Sequence, residues 1–172
     1  VDFKELAERI HQEKGLSHYE DTSSLLAFDP GHTTGWAMFD YYRLWEAGQL
    51  DTDSIEKATH AIGALFDEMQ PRVVVMEDYR VYKWRAQHHI GSEMLTTRVI
   101  GCIETIAVQR FIGMIAKQPA NVAKGFCTDA KLREWGFYKE GEKHARDAIR
   151  HGAYYILFGP IRKTDKAQVT VG

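Results

Sequence analysis

The segment Leu25-Leu26-Ala27-Phe28-Asp29-Pro30-Gly31-His32-Thr33-Thr34-Gly35-Trp36-Ala37-Met38-Phe39 constrains the fold more than any other part of the chain. An apolar run carries one aspartate to its end, a Pro-Gly turn follows, and a second apolar run begins at once. Apolar runs bounded by Gly and Pro predict two strands of a hairpin. Asp29 then stands where the first strand leaves the sheet, its carboxylate held by rigid backbone. Asp-Pro-Gly also serves simply to close a turn, so the meaning of Asp29 depends on the acidic residues that come later.

Residues 35–39 and 43–48 read as two more strands, an antiparallel meander with the first. Asp51-Thr52-Asp53-Ser54 then caps a helix in which Ile55, Ala58, Ile62, Leu65, Phe66 and Met69 recur at helical spacing, and Pro71 ends it. Val73-Val74-Val75-Met76 is a continuous apolar run, as a strand covered on both faces requires, and it terminates in Glu77-Asp78. A second strand thus also delivers a carboxylate to its end. Strand alternation turns Asp78 to the face opposite Glu77.

Beyond a stretch of mixed basic and aromatic residues, a long helix from about Ser92 places Leu95, Val99, Cys102, Ile103 and Ile106 on one face. Residues 112–116 read as the last strand, closed by Pro119, and 128–135 as a short helix. The final helix, 142–157, sets His144, Asp147 and His151 on one face. Ahead of this unit, Phe3, Leu6, Ala7 and Ile10 define an amphipathic helix over 2–13, joined by a polar linker. The organisation expected is an N-terminal helical extension and linker (1–24), one domain (25–158) and a polar tail (159–172). The order β-β-β-α-β-α-β-α predicts an α/β fold, a mixed five-stranded sheet flanked by helices, with function gathered at strand ends.

Asp29, Glu77 and Asp147 are then three carboxylates, two at strand ends and one on a helix crossing the sheet. Such oxygen ligands suit Mg²⁺ or Mn²⁺, which share bound phosphate oxygens. Two such ions can activate a water and stabilise the leaving oxygen of a phosphodiester. Zinc fits less well, because no three thiolate or imidazole ligands stand at recognisable spacing, and Cys102 and Cys127 are the only cysteines. The formal net charge of −2 excludes whole-protein basicity, so a nucleic-acid site must be a local patch. Few cysteines and no apolar run long enough to span a bilayer point to a cytoplasmic protein with no membrane partner.

Leu26-Ala27-Phe28-Asp29-Pro30-Gly31 with Thr34-Gly35 resembles the first motif of the RuvC family of Holliday-junction resolvases, within the RNase H-like superfamily. Val74-Val75-Met76-Glu77 is similar to the second acidic motif, Gly91 through Gly101 to the start of the helix that follows, and His144-Ala145-Arg146-Asp147-Ala148 to the last motif in its His-x-x-Asp form. The resemblance covers residues 25–158. It implies a homodimeric, divalent-metal-dependent endonuclease that nicks opposed strands of branched DNA, leaving 5′-phosphate and 3′-hydroxyl ends. Its substrates would be four-way junctions, with three-way and flap DNA also in range. Asp29, Glu77 and Asp147 would hold Mg²⁺ (or Mn²⁺), two ions per site, with His144 a further ligand or a proton carrier. Small size and the N-terminal extension fit a bacteriophage member, acting in the bacterial or infected-host cytoplasm.

The same resemblance places 79–98 against DNA. Arg80, Lys83, Arg85 and Arg98 offer cations to phosphate there, and Tyr79, Tyr82 and Trp84 offer faces to unpaired bases. Aromatic residues also cover sheet edges, which is the competing use of this segment. Lys117 and Lys124 flank the last strand as further phosphate contacts. His151 could orient Asp147 or face solvent, and His32 sits in the first turn, where it could meet phosphate or water. Part of the long helix's apolar face could continue into a dimer interface. Two other classes use similar features. One is a non-catalytic branched-DNA-binding protein of the same fold. The other is an actin- or Hsp70-like phosphotransferase or ATPase, whose phosphate turn residues 29–35 vaguely resemble but which needs a second lobe.

Overall fold

The computed structural model describes residues 1–15, 22–79 and 90–159. Five strands form one sheet in the order β3-β2-β1-β4-β5, with β1 Leu25–Asp29, β2 Thr33–Asp40, β3 Arg43–Asp51, β4 Val73–Glu77 and β5 Met114–Gln118. The β1–β2 and β2–β3 pairs are antiparallel, and β4 joins β1 and β5 in parallel. Six helices complete the described chain: α1 Phe3–Lys14, α2 Ile55–Met69, α3 Ile90–Gln109, α4 Ala120–Phe126, α5 Asp129–Glu134 and α6 Lys143–Phe158. This is the mixed, helix-flanked sheet expected from the order of elements. No helix among the described residues is long and apolar enough to cross a membrane.

Strand alternation divides the core into two layers. Leu25, Ala27, Ala37, Phe39, Ala47, Val73, Val75 and Ala116 pack toward α1 and α6. Leu26, Phe28, Trp36, Met38, Val74 and Met76 pack toward α2 and α3. Small residues set how closely α6 lies on the sheet. A Cβ at Gly152 would come within 2.4 Å of the Phe39 ring and 3.2 Å of Ala27. Ile149, Tyr155 and Ile156 of α6 are buried beside them, each such side chain contributing about 1.5–3 kcal/mol by leaving water.

The N-terminal helix joins this layer. Asp2 caps it by accepting from the Lys4 N–H at 2.9 Å, and Gly15, at φ 61°, closes it. Phe3 is buried against Trp135 and Phe137, and a His11 ring nitrogen bonds the Ile156 carbonyl at 2.7 Å. The helix therefore packs on the domain in this chain.

Three of the differences from the expected boundaries have a clear physical origin. The strand placed at 112–116 runs Met114–Gln118, because Ile112 closes the preceding helix: its N–H bonds the Ala107 carbonyl while Phe111 turns left-handed and bonds Val108. Pro119, expected only to stop the strand, precedes α4, a helix that periodicity did not announce. The second strand begins at Thr33 rather than 35, since its ladder runs to the Thr33–Asp51 pair.

Candidate active site

The side chains that meet at the carboxyl ends of the parallel strands are placed there by alternation. Asp29 continues the row Leu25, Ala27; Glu77 continues Val73, Val75; and Gln118 continues Ala116, so all three belong to the α6 side of the sheet. The adjoining β1–β2 turn is stiffened by two buried hydroxyls. Thr34 and Thr52 bond one another at 2.7 Å, and Thr52 donates to the Gly31 carbonyl at 2.6 Å. Opposite Asp29 in the β1–β2 pairing stands Gly35, where the start of α6 rests on the strand.

From α6, His144, Asp147 and His151 all reach this cluster, as their shared helical face predicts. His144 Nδ1 lies 2.9 Å from an Asp29 oxygen. His151, fully buried, stands between Gln118 Oε1 at 3.3 Å and Glu77 Oε2 at 3.4 Å. Asp147 is 5% exposed and is gripped by Arg150, which also holds Asp129 and donates to the Cys127 carbonyl at 2.9 Å. The backbone N–H of His144 donates to Gln49 on the edge strand β3, at 3.0 Å, tying the helix start to the sheet.

The three carboxylates converge on one cation supplied by the chain itself. Lys124 Nζ lies 3.0 Å from Glu77, 3.2 Å from Asp147 and 3.8 Å from Asp29. Burial works against its charge, and the surrounding carboxylates more than reverse this, so its pKa is raised. Burial likewise raises Asp29 against the pull of His144 and Lys124. Glu77 is held down at about 2: burial opposes its charge, but His151, Asp29 and Lys124 outweigh it. His144 is raised by its bond to Asp29.

A set of carboxylate oxygens around a positive group is chemically suited to a hard divalent cation. Ligand atoms of Asp29, Glu77 and His151 lie within 4.8 Å of one another. The ammonium of Lys124 marks where positive charge is stabilised among the carboxylates. The residues present therefore fit the divalent-metal chemistry expected of them.

The other sequence candidates sit differently. Lys124, expected to touch phosphate, is engaged by the carboxylates, and Lys117 pairs with Glu104 at 2.6 Å. Arg98 and His32 are exposed. Asp78 follows β4, and its backbone N–H bonds the Gln118 carbonyl at 2.7 Å. Tyr79 packs against the α2–α3 layer. Arg80, Tyr82, Lys83, Trp84 and Arg85 lie outside the described residues, as does the tail from 160. Sequence reasoning missed Gln118 and Arg150. The i, i+3 spacing of Arg150 from Asp147 was a signal for the second; the first required the true register of β5.

No family model and no curated protein matches the sequence. Solved structures do match the fold. Thermus thermophilus RuvC in complex with Holliday junction substrate aligns with a TM-score of 0.64 at 12% identity, covering 78% of this chain and 93% of that one. A second Thermus thermophilus RuvC structure gives 0.62 at 13% identity, with 78% and 94% covered. The yeast mitochondrial Holliday junction resolvase Ydc2 gives 0.57 at 11% identity, with 87% and 83% covered. The chain thus has the RuvC-like, RNase H-like fold of known Holliday junction resolvases, as its three ordered motifs implied.

Proposed function

We propose that this protein is a divalent-metal-dependent endonuclease that resolves Holliday junctions and acts on other branched DNA, working as a homodimer so that two opposed strands are nicked. The observation that carries the reading is the convergence of Asp29, Glu77 and Asp147 on one cation at the end of a RuvC-like sheet. Asp29, Glu77 and Asp147 would hold Mg²⁺ or Mn²⁺, two ions per site, with His144 as a further ligand or proton carrier. Metal bound there supplies charge stabilisation and a water of lowered pKa.

The chain's own residues do the rest. Water attacks the phosphorus, the P–O3′ bond breaks, and the departing O3′ takes a proton, leaving 5′-phosphate and 3′-hydroxyl ends. His144, whose pKa is raised by Asp29, can hold a proton at its ring beside the reacting phosphate. Arg150 and Gln49 keep Asp147 and the start of α6 in place. Arg80, Tyr82, Lys83, Trp84, Arg85 and Arg98 would engage phosphates and unpaired bases, Lys117 further phosphates, and Lys124 phosphate once metal takes the carboxylates.

Cleavage of a labelled immobile four-way junction, beside matched linear duplex and with Mg²⁺, Mn²⁺ or EDTA, tests the reading. Paired cuts confined to branched DNA and abolished by EDTA are expected. Junction binding without any metal-dependent cut would overturn it in favour of a non-catalytic binding protein.

A further inference from the structure

We propose that Gln118 is a positioning residue for His151, and that together they present one imidazole nitrogen to the carboxylate cluster and bias it toward Mn²⁺ over Mg²⁺. The inference rests on the reading of the cluster as a divalent-metal site.

Gln118 and His151 are both fully buried, and neither belongs to the acidic motifs. Burying two polar side chains is costly unless each is satisfied. The Gln118 oxygen faces His151 Nδ1 at 3.3 Å, and its amide nitrogen has no hydrogen-bond partner among the described residues. Among the described residues, the one polar contact its buried head makes is therefore with His151. With Nδ1–H donated to that oxygen, Nε2 is the atom left to face Glu77 Oε2, at 3.4 Å.

The spacing is close to that of two ligands on one ion. Donor atoms about 2.1 Å from an octahedral ion, at about 90° to one another, lie about 3.0 Å apart, against the 3.4 Å between His151 Nε2 and Glu77 Oε2. The Asp29 oxygen belongs to the same group of atoms. Orienting a ligating imidazole through its other nitrogen is the usual task of a buried acceptor. Mg²⁺ is bound best by oxygen alone; Mn²⁺ also favours oxygen but accepts an imidazole more readily, so one nitrogen donor tilts the site toward Mn²⁺ over Mg²⁺.

The test uses the full chain, titrated with Mn²⁺ and followed by loss of the free-ion EPR signal, with Mg²⁺ as competitor. Spin-echo modulation then reports directly bound imidazole nitrogen. His151→Asn is expected to remove a nitrogen coupling that His144→Asn leaves in place. Gln118→Leu is expected to weaken Mn²⁺ binding about 10-fold and to narrow the Mn²⁺/Mg²⁺ preference, with Gln118→Glu restoring both. Circular dichroism checks that each variant is folded, and the Leu/Glu pair carries the test if His151→Asn is not. Unchanged coupling in His151→Asn, or affinities within twofold across the Gln118 pair, would make His151 a structural residue and overturn the proposal while leaving the nuclease reading intact. No Mn²⁺ bound by the wild-type protein at millimolar concentration would overturn the metal site itself.

Discussion

The peptide at Gly35 touches the peptide at His144: a Cβ on Gly35 would lie 1.9 Å from the His144 carbonyl oxygen and 2.1 Å from its carbon. The obstacle is backbone, so no rotamer change relieves it. Gly35 pairs with Asp29, so one close contact fixes the helix start against the strand that bears the first carboxylate.

Gly35→Ala is therefore expected to lift the start of α6 and move His144 and Asp147 away from Asp29. Overpacking of this kind costs about 1–3 kcal/mol, and a displacement near 1 Å lowers a rate by about 10²-fold. Thermal unfolding and junction-cleavage rates check both. Unchanged cleavage would mean that α6 adjusts without disturbing the site.

Lys124 balances three carboxylates in the metal-free protein. Lys124→Met leaves that charge uncompensated, which costs about 1–2 kcal/mol once the partial exposure of the lysine is allowed for. The expected signature is a Tm lowered by about 2–8 °C in EDTA, with the gap shrinking when Mn²⁺ is added. A deficit equal with and without metal would show that Lys124 and the ion do not share the site.

Phe111 closes α3 in the left-handed conformation, φ 56°, while 93% exposed. The residue gains little packing and carries the strain that glycine avoids at this position. Phe111→Gly is expected to stabilise the chain by about 0.5–1 kcal/mol after the added unfolded-state entropy. Denaturant unfolding measures it; a loss of stability would mean that the ring is covered in solution.

The parts of the site that could be read from sequence are those fixed by short-range periodicity. Asp29 and Glu77 each end an apolar strand, and period-2 alternation then sets their face. His144, Asp147 and His151 follow from helical spacing alone. Gln118 stayed hidden because Ile112 reads as a strand residue but is used to close α3, shifting β5 by two. Lys124 was visible as a cation, but its destination depends on α4 folding back across the strand ends, which no local pattern encodes. Gly35 is legible as a motif residue; the reason for its lack of a side chain lies over a hundred residues away, on α6.

The most direct test of the central claim compares binding and cleavage of one four-way junction by the wild-type protein and Asp29→Asn. The substitution keeps the shape of the side chain and removes a charge that repels phosphate. Cleavage reduced by about 10²–10³-fold or more, with junction affinity equal or tighter, is the predicted result. Cleavage retained, or affinity lost together with cleavage, would contradict a chemical role for Asp29 and reduce it to a support of the fold.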